Sequence, residues 1–434
     1  MSDSPSAQPV PSAADTPKEV SYRWFVLVML TIVYTFNFID RQILVILQEP
    51  IKAELGLSDA QLGLLTGFSF ALVYVIAGIP IAYMADRSNR RNIVAAALAI
   101  WSGMTALSGM VQSYTQLVLA RLGVGLGEAG GSPPAHSMIS DYFPSHQRGT
   151  AISFYSAGIY IGILFGYAAG GWIAENFGWR QAFFMIGVPG VFFAALLATL
   201  VREPIRGRWE GGVIAAKASL GQTLTVLKQR PSFWFLALGC AFTSFVGYGN
   251  GNFFPSYLMR NHGMSISEVG FALGLVAGIA GAIGTFMGGY LADKFGKTDK
   301  RWYAWVPIIG AVLSIPFALY TLFGNDPKWI IIALFPSNVL NSFYLGPSIA
   351  MGQTLVSPSM RAMASAVLFF VLNMIGLGLG PLIVGLLSDG YQPYFGDENL
   401  RYAMLTTLAI GQLGVLFFWL GSRKLVPDLA KPFT

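Results

Sequence analysis

Twelve apolar stretches, each long enough to cross a hydrocarbon core of about 30 Å, recur along this chain. They fall near 24–46, 61–83, 92–111, 115–137, 150–173, 181–201, 232–258, 268–291, 302–323, 329–351, 361–388 and 401–422. Hydrocarbon offers no partner to a free N–H or C=O, so each stretch must satisfy its own backbone, and each predicts a helix. Composition agrees, with 54% hydrophobic and only 11% charged residues, against about 25% charged in soluble domains. The expected fold is an all-α polytopic membrane protein of twelve transmembrane helices in two pseudo-symmetric six-helix halves.

A net charge of +6 would suggest nucleic acid in a soluble chain. Here the basic residues crowd into the gaps on one side of the spans. With the N-terminus inside, the cytoplasmic segments hold 20 of the 27 Lys and Arg, and the opposite segments hold Lys52, Arg180, Arg260, Lys328 and Arg401. Acids split evenly, so only the cations carry the topological signal. The expectation is a multi-pass protein of the bacterial inner (cell) membrane with both termini cytoplasmic. Residues 1–20, rich in Ser, Pro and Ala, read as a disordered cytoplasmic tail without a cleaved signal peptide. Residues 21–201 form the first half and 202–231 a linker, whose stretch from Gly212 to Leu227 has the spacing of a surface helix. Residues 232–424 form the second half, and 425–434 a second tail.

The halves resemble each other, as duplicated transporter halves do. The loop after the second span reads Tyr83-Met84-Ala85-Asp86-Arg87-Ser88-Asn89-Arg90-Arg91, and that after the eighth reads Gly289-Tyr290-Leu291-Ala292-Asp293-Lys294-Phe295-Gly296-Lys297. Pro144-Ser145-His146-Gln147-Arg148 before the fifth span matches Pro358-Ser359-Met360-Arg361 before the eleventh. The Gly-x-x-x-Asp-Arg/Lys-x-Gly-Arg/Lys loop resembles the signature of the major facilitator superfamily. The second copy fits fully, while the first has Ala82 and Asn89 in place of its glycines. Arg121-x3-Gly125 in the fourth span and the glycines of the fifth, from Gly158 to Gly171, are similar to further motifs of that superfamily. The run Asn37-Phe38-Ile39-Asp40-Arg41, with Arg121-x6-Glu128, resembles the spinster family. Its eukaryotic members are associated with proton-linked movement of lysophospholipids and sphingosine phosphates, and the short loops suggest a bacterial member. Organic-anion:proton symporters of the same superfamily share a similar first span.

Clear of the span ends, four acids and bases stand inside the twelve spans: Asp40, Arg41, Arg121 and Glu128, all in the first half. Each costs about 2.5–3.5 kcal/mol at a helix centre, so four signal either mutual neutralisation in a cavity or function. At about 1.5 Å per residue, Asp40 and Arg121 reach overlapping depths and are expected to pair, while Glu128 lies about 10 Å deeper on the face of Arg121. Glu128, without a basic neighbour at its own depth, is expected to be the main proton carrier, with Asp40 assisting. Arg121, whose planar fork matches carboxylate or phosphate, is expected to anchor an anionic headgroup, with Arg41 second.

Span 7 reads Phe245-Val246-Gly247-Tyr248-Gly249-Asn250-Gly251-Asn252-Phe253-Phe254-Pro255. Its glycines and proline predict a weakened helix that bends, together with span 1, as an outer gate. Asn37, Tyr248, Asn250, Asn341 and Asn373 are the remaining candidates for lining a substrate cavity. Asp86, Arg87, Arg90, Arg148, Asp293 and Lys294 are the candidate cytoplasmic gate, closing across the seam between halves.

No Gly-x4-Gly-Lys-Ser/Thr run, metal-ligand spacing or nucleophile–base arrangement is present, so neither enzyme chemistry, a metal nor a cofactor is expected. The leading expectation is a monomeric, proton-coupled secondary transporter of an amphipathic anion such as a lysolipid or sphingosine-phosphate-like lipid, working by alternating access. Its partners would be that substrate, protons and membrane lipid. A proton-linked carrier of a small soluble organic anion such as a sugar acid is the alternative, and a transporter-like sensor without turnover the third reading.

Overall fold

A computed structural model describes residues 16–209 and 220–432. Expectations for 1–15, for the part of the linker within 210–219 and for the last two residues lie outside the described residues. Twelve helices, several in two or three pieces, occupy the twelve expected spans. In the first half these are α1 (Pro17–Ile46), α2 (Asp59–Arg87), α3 (Arg90–Ser108), α4 (Tyr114–Glu128 and Ser132–Tyr142), α5 (Ser145–Phe177) and α6 (Trp179–Leu200). In the second they are α7 (Pro231–His262), α8 (Ile266–Phe295), α9 (Trp302–Phe323), α10 (Pro327–Thr354), α11 (Arg361–Leu372, Asn373–Leu379, Gly380–Phe395) and α12 (Asn399–Gly411, Leu413–Leu429). By length and composition, nine helical stretches among the described residues can cross a membrane; 358–429 joins α11 and α12, and α3 and the broken α4 fall short as single helices.

Local chemistry sets the ends. The helix α1 starts at Pro17, inside the stretch expected to be a tail. Thr16 accepts the N–H of Glu19, whose carboxylate accepts the N–H of Thr16 in return, and proline suits the first helical position. At the other end α12 runs on to Leu429, past the expected boundary at 424, because Asp428 accepts the N–H of Ser232 at 2.8 Å and ties the chain end to the start of α7. The described part of the linker helix is Leu220–Lys228.

The weakening expected of span 7 does not break it: α7 is one continuous helix of 32 residues. One of its glycines serves close packing, since a Cβ at Gly249 would meet the Gly380 carbonyl of α11 at 3.0 Å. The helix breaks elsewhere. In α4 the chain unwinds directly after Glu128, where Gly130-Gly131 precedes Pro133-Pro134, a pair without N–H groups to continue the ladder. In α2 and α11 the turns Leu64–Phe68 and Asn373–Leu379 are π-helical and lie against one another.

The halves meet most closely at the face opposite the described chain ends. There one apolar cluster draws on both halves, from Ile43, Ile46 and Leu62 to Phe253, Tyr257 and Leu400. Space for a side chain vanishes at this seam: a Cβ on Gly63 would stand 2.2 Å from the Pro381 carbonyl oxygen. Toward the terminal face, another large cluster draws only on α7 to α12 and the linker helix.

Candidate functional site

The four intramembrane charges do gather in one place, but their partners differ from those depth alone suggests. Arg41 Nε donates to Glu128 Oε2 at 2.7 Å, with the Glu128 side chain fully buried and that of Arg41 15% exposed. The Arg41 guanidinium also lies 4.8–5.3 Å from the ring centres of Phe38, Phe70 and Tyr74, a geometry in which aromatic faces attract a cation. The expectation that Glu128 lacks a basic neighbour is therefore corrected. So is the pairing of Asp40 with Arg121: Arg121 Nη1 reaches only the backbone carbonyl of Asp40, at 3.5 Å, and its guanidinium sits 4.7 Å from the Phe70 ring. Neighbouring residues of a helix diverge by about 100°, so Arg41 and Asp40 leave α1 in different directions. Arg41 turns to α4. Asp40, 1% exposed, turns toward Ser102 and Thr105 of α3.

Polar atoms without hydrogen-bond partners concentrate here. Both carboxylate oxygens of Asp40, Nε of Arg121, Oε1 of Glu128 and Oδ1 of Asn37 are buried and unbonded. Each such group is costly, so a cluster of them marks a place built for something other than stability.

The second half contributes no charge. Tyr248 of α7 reaches across to the core of the first half, beside Tyr34 and Tyr74. Asn250 is tied to α12, donating to the Met404 carbonyl at 3.1 Å and accepting from Thr407 Oγ1 at 2.6 Å. Asn250 and Asn341 share a cavity with Asn338, Phe254 and Tyr167, the last from α5 of the first half. Asn373 is not among the lining residues of that cavity; it opens the π-helical turn of α11.

The described contacts of the expected gate residues stay within their own halves or reach the start of the linker. Arg90, 2% exposed, is a knot joining α3, α4 and the chain after α6, bonded to Asp141 at 2.5 Å, Glu203 at 2.7 Å and Ser137 at 2.8 Å. Arg206 donates to the Asp86 carbonyl and, at 2.8 Å, to that of Ala85. The Arg87 guanidinium covers the Tyr83 ring at 3.5 Å, and Arg148 donates to the Phe143 carbonyl at 3.2 Å. Asp293 accepts from Tyr303 Oη at 2.7 Å, and Lys294 lies near the rings of Tyr290 and Phe295.

Charges do cross the seam at the opposite face, in a network that sequence reasoning missed. Arg260 of α7 forks onto Asp59, with two bonds of 2.7 Å, and onto Glu49 at 3.0 and 2.7 Å. Lys52 adds a bond to Asp59 at 2.6 Å, and Ser388 of α11 another at 2.7 Å. Asp389 accepts the N–H groups of Asp59 and Ala60 at 3.0 and 2.9 Å, capping α2 from the other half at the end where the helix dipole favours an anion. The capping box of Ser58 and Gln61 could have marked where α2 starts. Nothing in the local spacing could have named its partners.

The family model of the Major Facilitator Superfamily matches residues 30–381 and 251–432. An MFS-type efflux pump of Mycolicibacterium smegmatis is 35% identical over 407 residues, covering 94% of this chain and 94% of its own. The probable galactarate/D-glucarate transporter GudP of Bacillus subtilis is 28% identical, with 87% and 88% covered. Among solved structures, a bacterial homologue of the human lysosomal transporter spinster, in an inward-facing and unoccupied conformation, superposes with a TM-score of 0.86 at 32% identity, covering 96% of this chain and all of that one. Twelve helices in two halves, a charge cluster held by α1 and α4, and these likenesses agree: this integral membrane protein is a member of the major facilitator superfamily of transporters.

Proposed function

We propose that this chain is a proton-coupled secondary transporter that moves an amphipathic anion, of the lysolipid or sphingosine-phosphate kind, by alternating access across a bacterial cell membrane. The observation that carries it is the buried Asp40 carboxyl, with neither oxygen bonded, beside an arginine with a spare donor, in a chain whose second half has no charge within its spans. An ionised carboxylate held this way is expensive. Protonation of Asp40 therefore favours the present arrangement, and loss of the proton favours one in which Arg121 turns onto it. Arg121, in turn, is released to an incoming anionic headgroup only while Asp40 holds its proton. Both termini are cytoplasmic on the basic-residue count, so closure at the opposite face makes this the inward-facing state; the likeness to the inward-facing spinster homologue supports that. In this reading Asp86 and Asp293 latch the cytoplasmic face in the other state.

Asp40→Asn is expected to fold like the parent chain, because the carboxylate oxygens hold no bond to lose. It should lower proton-driven substrate accumulation in proteoliposomes at least tenfold while sparing exchange at equal pH. Accumulation at the parent level would remove Asp40 from coupling.

A second reading, a carrier of small organic acids, draws on the similarity to the galactarate/glucarate transporter and on Ser337, Asn338 and Asn341 in the cavity of the second half. The two readings part at Arg121→Lys. That change keeps the charge but loses the fork, so anion binding should weaken in either case. For a lysolipid, binding to the parent protein tightens by up to about 0.8 kcal/mol per added buried methylene until the cavity is full. Arg121-dependent binding that ignores chain length would favour the organic acid.

A further inference from the structure

The start of α1 and the residues following α6 bring four cations around one pocket on the terminal face: Lys18, Arg23, Arg202 and Arg208. Among the described residues of this lining, Glu19 is the acid beside the four cations. Glu19 is already engaged, pairing with Arg208 at 3.2 Å and capping α1 through Thr16. The Arg202 backbone is clamped from two sides. Its N–H donates to Tyr22 Oη at 2.8 Å, and its carbonyl accepts from Tyr142 Oη at 2.6 Å. The Arg202 guanidinium is thereby held 5.6 Å from the Tyr22 ring, at the rim of the pocket.

What adjoins the pocket is apolar. Tyr22 Oη also donates to the Leu200 carbonyl at 3.0 Å and the Phe36 and Phe193 rings meet at a tilt, 5.7 Å between centres, so α1 and α6 run side by side. Along their outer surface Phe25 and Val28 of α1 and Phe192, Leu196 and Leu200 of α6 are exposed. Lys18 and Tyr22 also border a shallower pocket that includes Phe25, so the cationic rim leads directly onto the apolar surface. A soluble anion would use the cations and ignore that surface. A phospholipid uses both.

We propose that this pocket binds the phosphate of an anionic phospholipid headgroup, with the acyl chains lying along the α1–α6 surface. Juxtamembrane clusters of Lys and Arg attract such lipids, and an arginine fork matches phosphate oxygens. The site lies at the membrane surface, clear of the charge cluster around Asp40, so the bound lipid is a fixed constituent of the fold and not the transported substrate. It ties the beginning of α1 to the junction between α6 and the linker.

The test uses the full-length protein in detergent, with lipid binding counted by native mass spectrometry and the thermal midpoint read in parallel. Phosphatidylglycerol should bind at least tenfold more tightly than phosphatidylcholine of equal chain length. Lys18→Gln/Arg202→Gln, both at exposed positions, should keep the lipid-free midpoint and lose that preference. Arg423→Gln/Lys424→Gln removes the same charge from exposed positions near the end of α12 and should retain it. Equal binding of the two lipids by the parent chain would overturn the proposal, as would equal loss in the two double variants. Inorganic phosphate that protects as well as phosphatidylglycerol would show a soluble-anion site instead. The comparison of lipids on the parent chain decides the matter even if a variant fails to fold.

Discussion

Glu128→Gln should be recovered in the membrane at a small fraction of the parent level, with a markedly lower thermal midpoint. The reason is the 2.7 Å ion pair with Arg41, whose acid is fully buried. Removing one partner of a buried pair leaves the other charge without compensation, at a cost of about 3–5 kcal/mol. The rings of Phe38, Phe70 and Tyr74 hold the stranded guanidinium, so the loss should fall near the lower end, about 3 kcal/mol. Arg41→Gln/Glu128→Gln should recover much of the stability, because two neutral amides of similar reach replace the pair. The measurement is the unfolding midpoint of the purified single and double variants. A single variant as stable as the parent, or a double variant no better than the single, would show that the pair is not what holds α1 to α4. Asp40→Asn supplies the contrast, since it alters a carboxyl that has no hydrogen-bonded partner to strand.

That contrast is where sequence and structure diverge. The twelve spans and the gathering of Asp40, Arg41, Arg121 and Glu128 follow from hydrocarbon: it forces helices, and it makes lone charges too costly to scatter. Depth could be computed from the rise per residue; it set Asp40, Arg41 and Arg121 near one another but left Glu128 about 10 Å deeper, a gap that the reach of the Arg41 side chain closes. Azimuth could not, because the rotation of α1 about its own axis is fixed by packing against α5, where a Cβ at Gly162 would meet Phe38 Cβ at 2.6 Å. A turn of about 100° between Asp40 and Arg41 is enough to exchange the partners. The glycines of span 7 misled for a related reason. Low helix propensity is a weak prior, and the approach of α11 overrides it. The break in α4 was not expected, although its cause stands in the sequence as Gly130-Gly131 and Pro133-Pro134, and it leaves Glu128 as the last residue of a helix piece.

The network around Arg260 was illegible for a third reason. Glu49, Asp59, Arg260 and Asp389 come from four segments, and each alone reads as an ordinary charge at a helix end. Together they bond across the seam between halves, and a contact present in one state only biases the equilibrium between states. Arg260→Gln removes the double fork while leaving Asp59 to Lys52 and Ser388. Hydrogen bonds to charged groups contribute about 1.5–3 kcal/mol each, so even one lost in net terms shifts the closed state by roughly tenfold or more. Gly251 is a suitable reporter: it borders the cavity of the second half, and a Cβ there meets nothing within 4 Å. With Cys240 replaced and Gly251→Cys introduced, an impermeant thiol reagent applied from the face opposite the chain ends should react at least tenfold faster in the Arg260→Gln background. Equal rates would mean that apolar packing around Ile43, Phe253 and Tyr257 closes that face unaided, and that the charges only decorate it. A faster rate, combined with loss of accumulation, would make Arg260 the residue that commits the carrier to the state closed at that face.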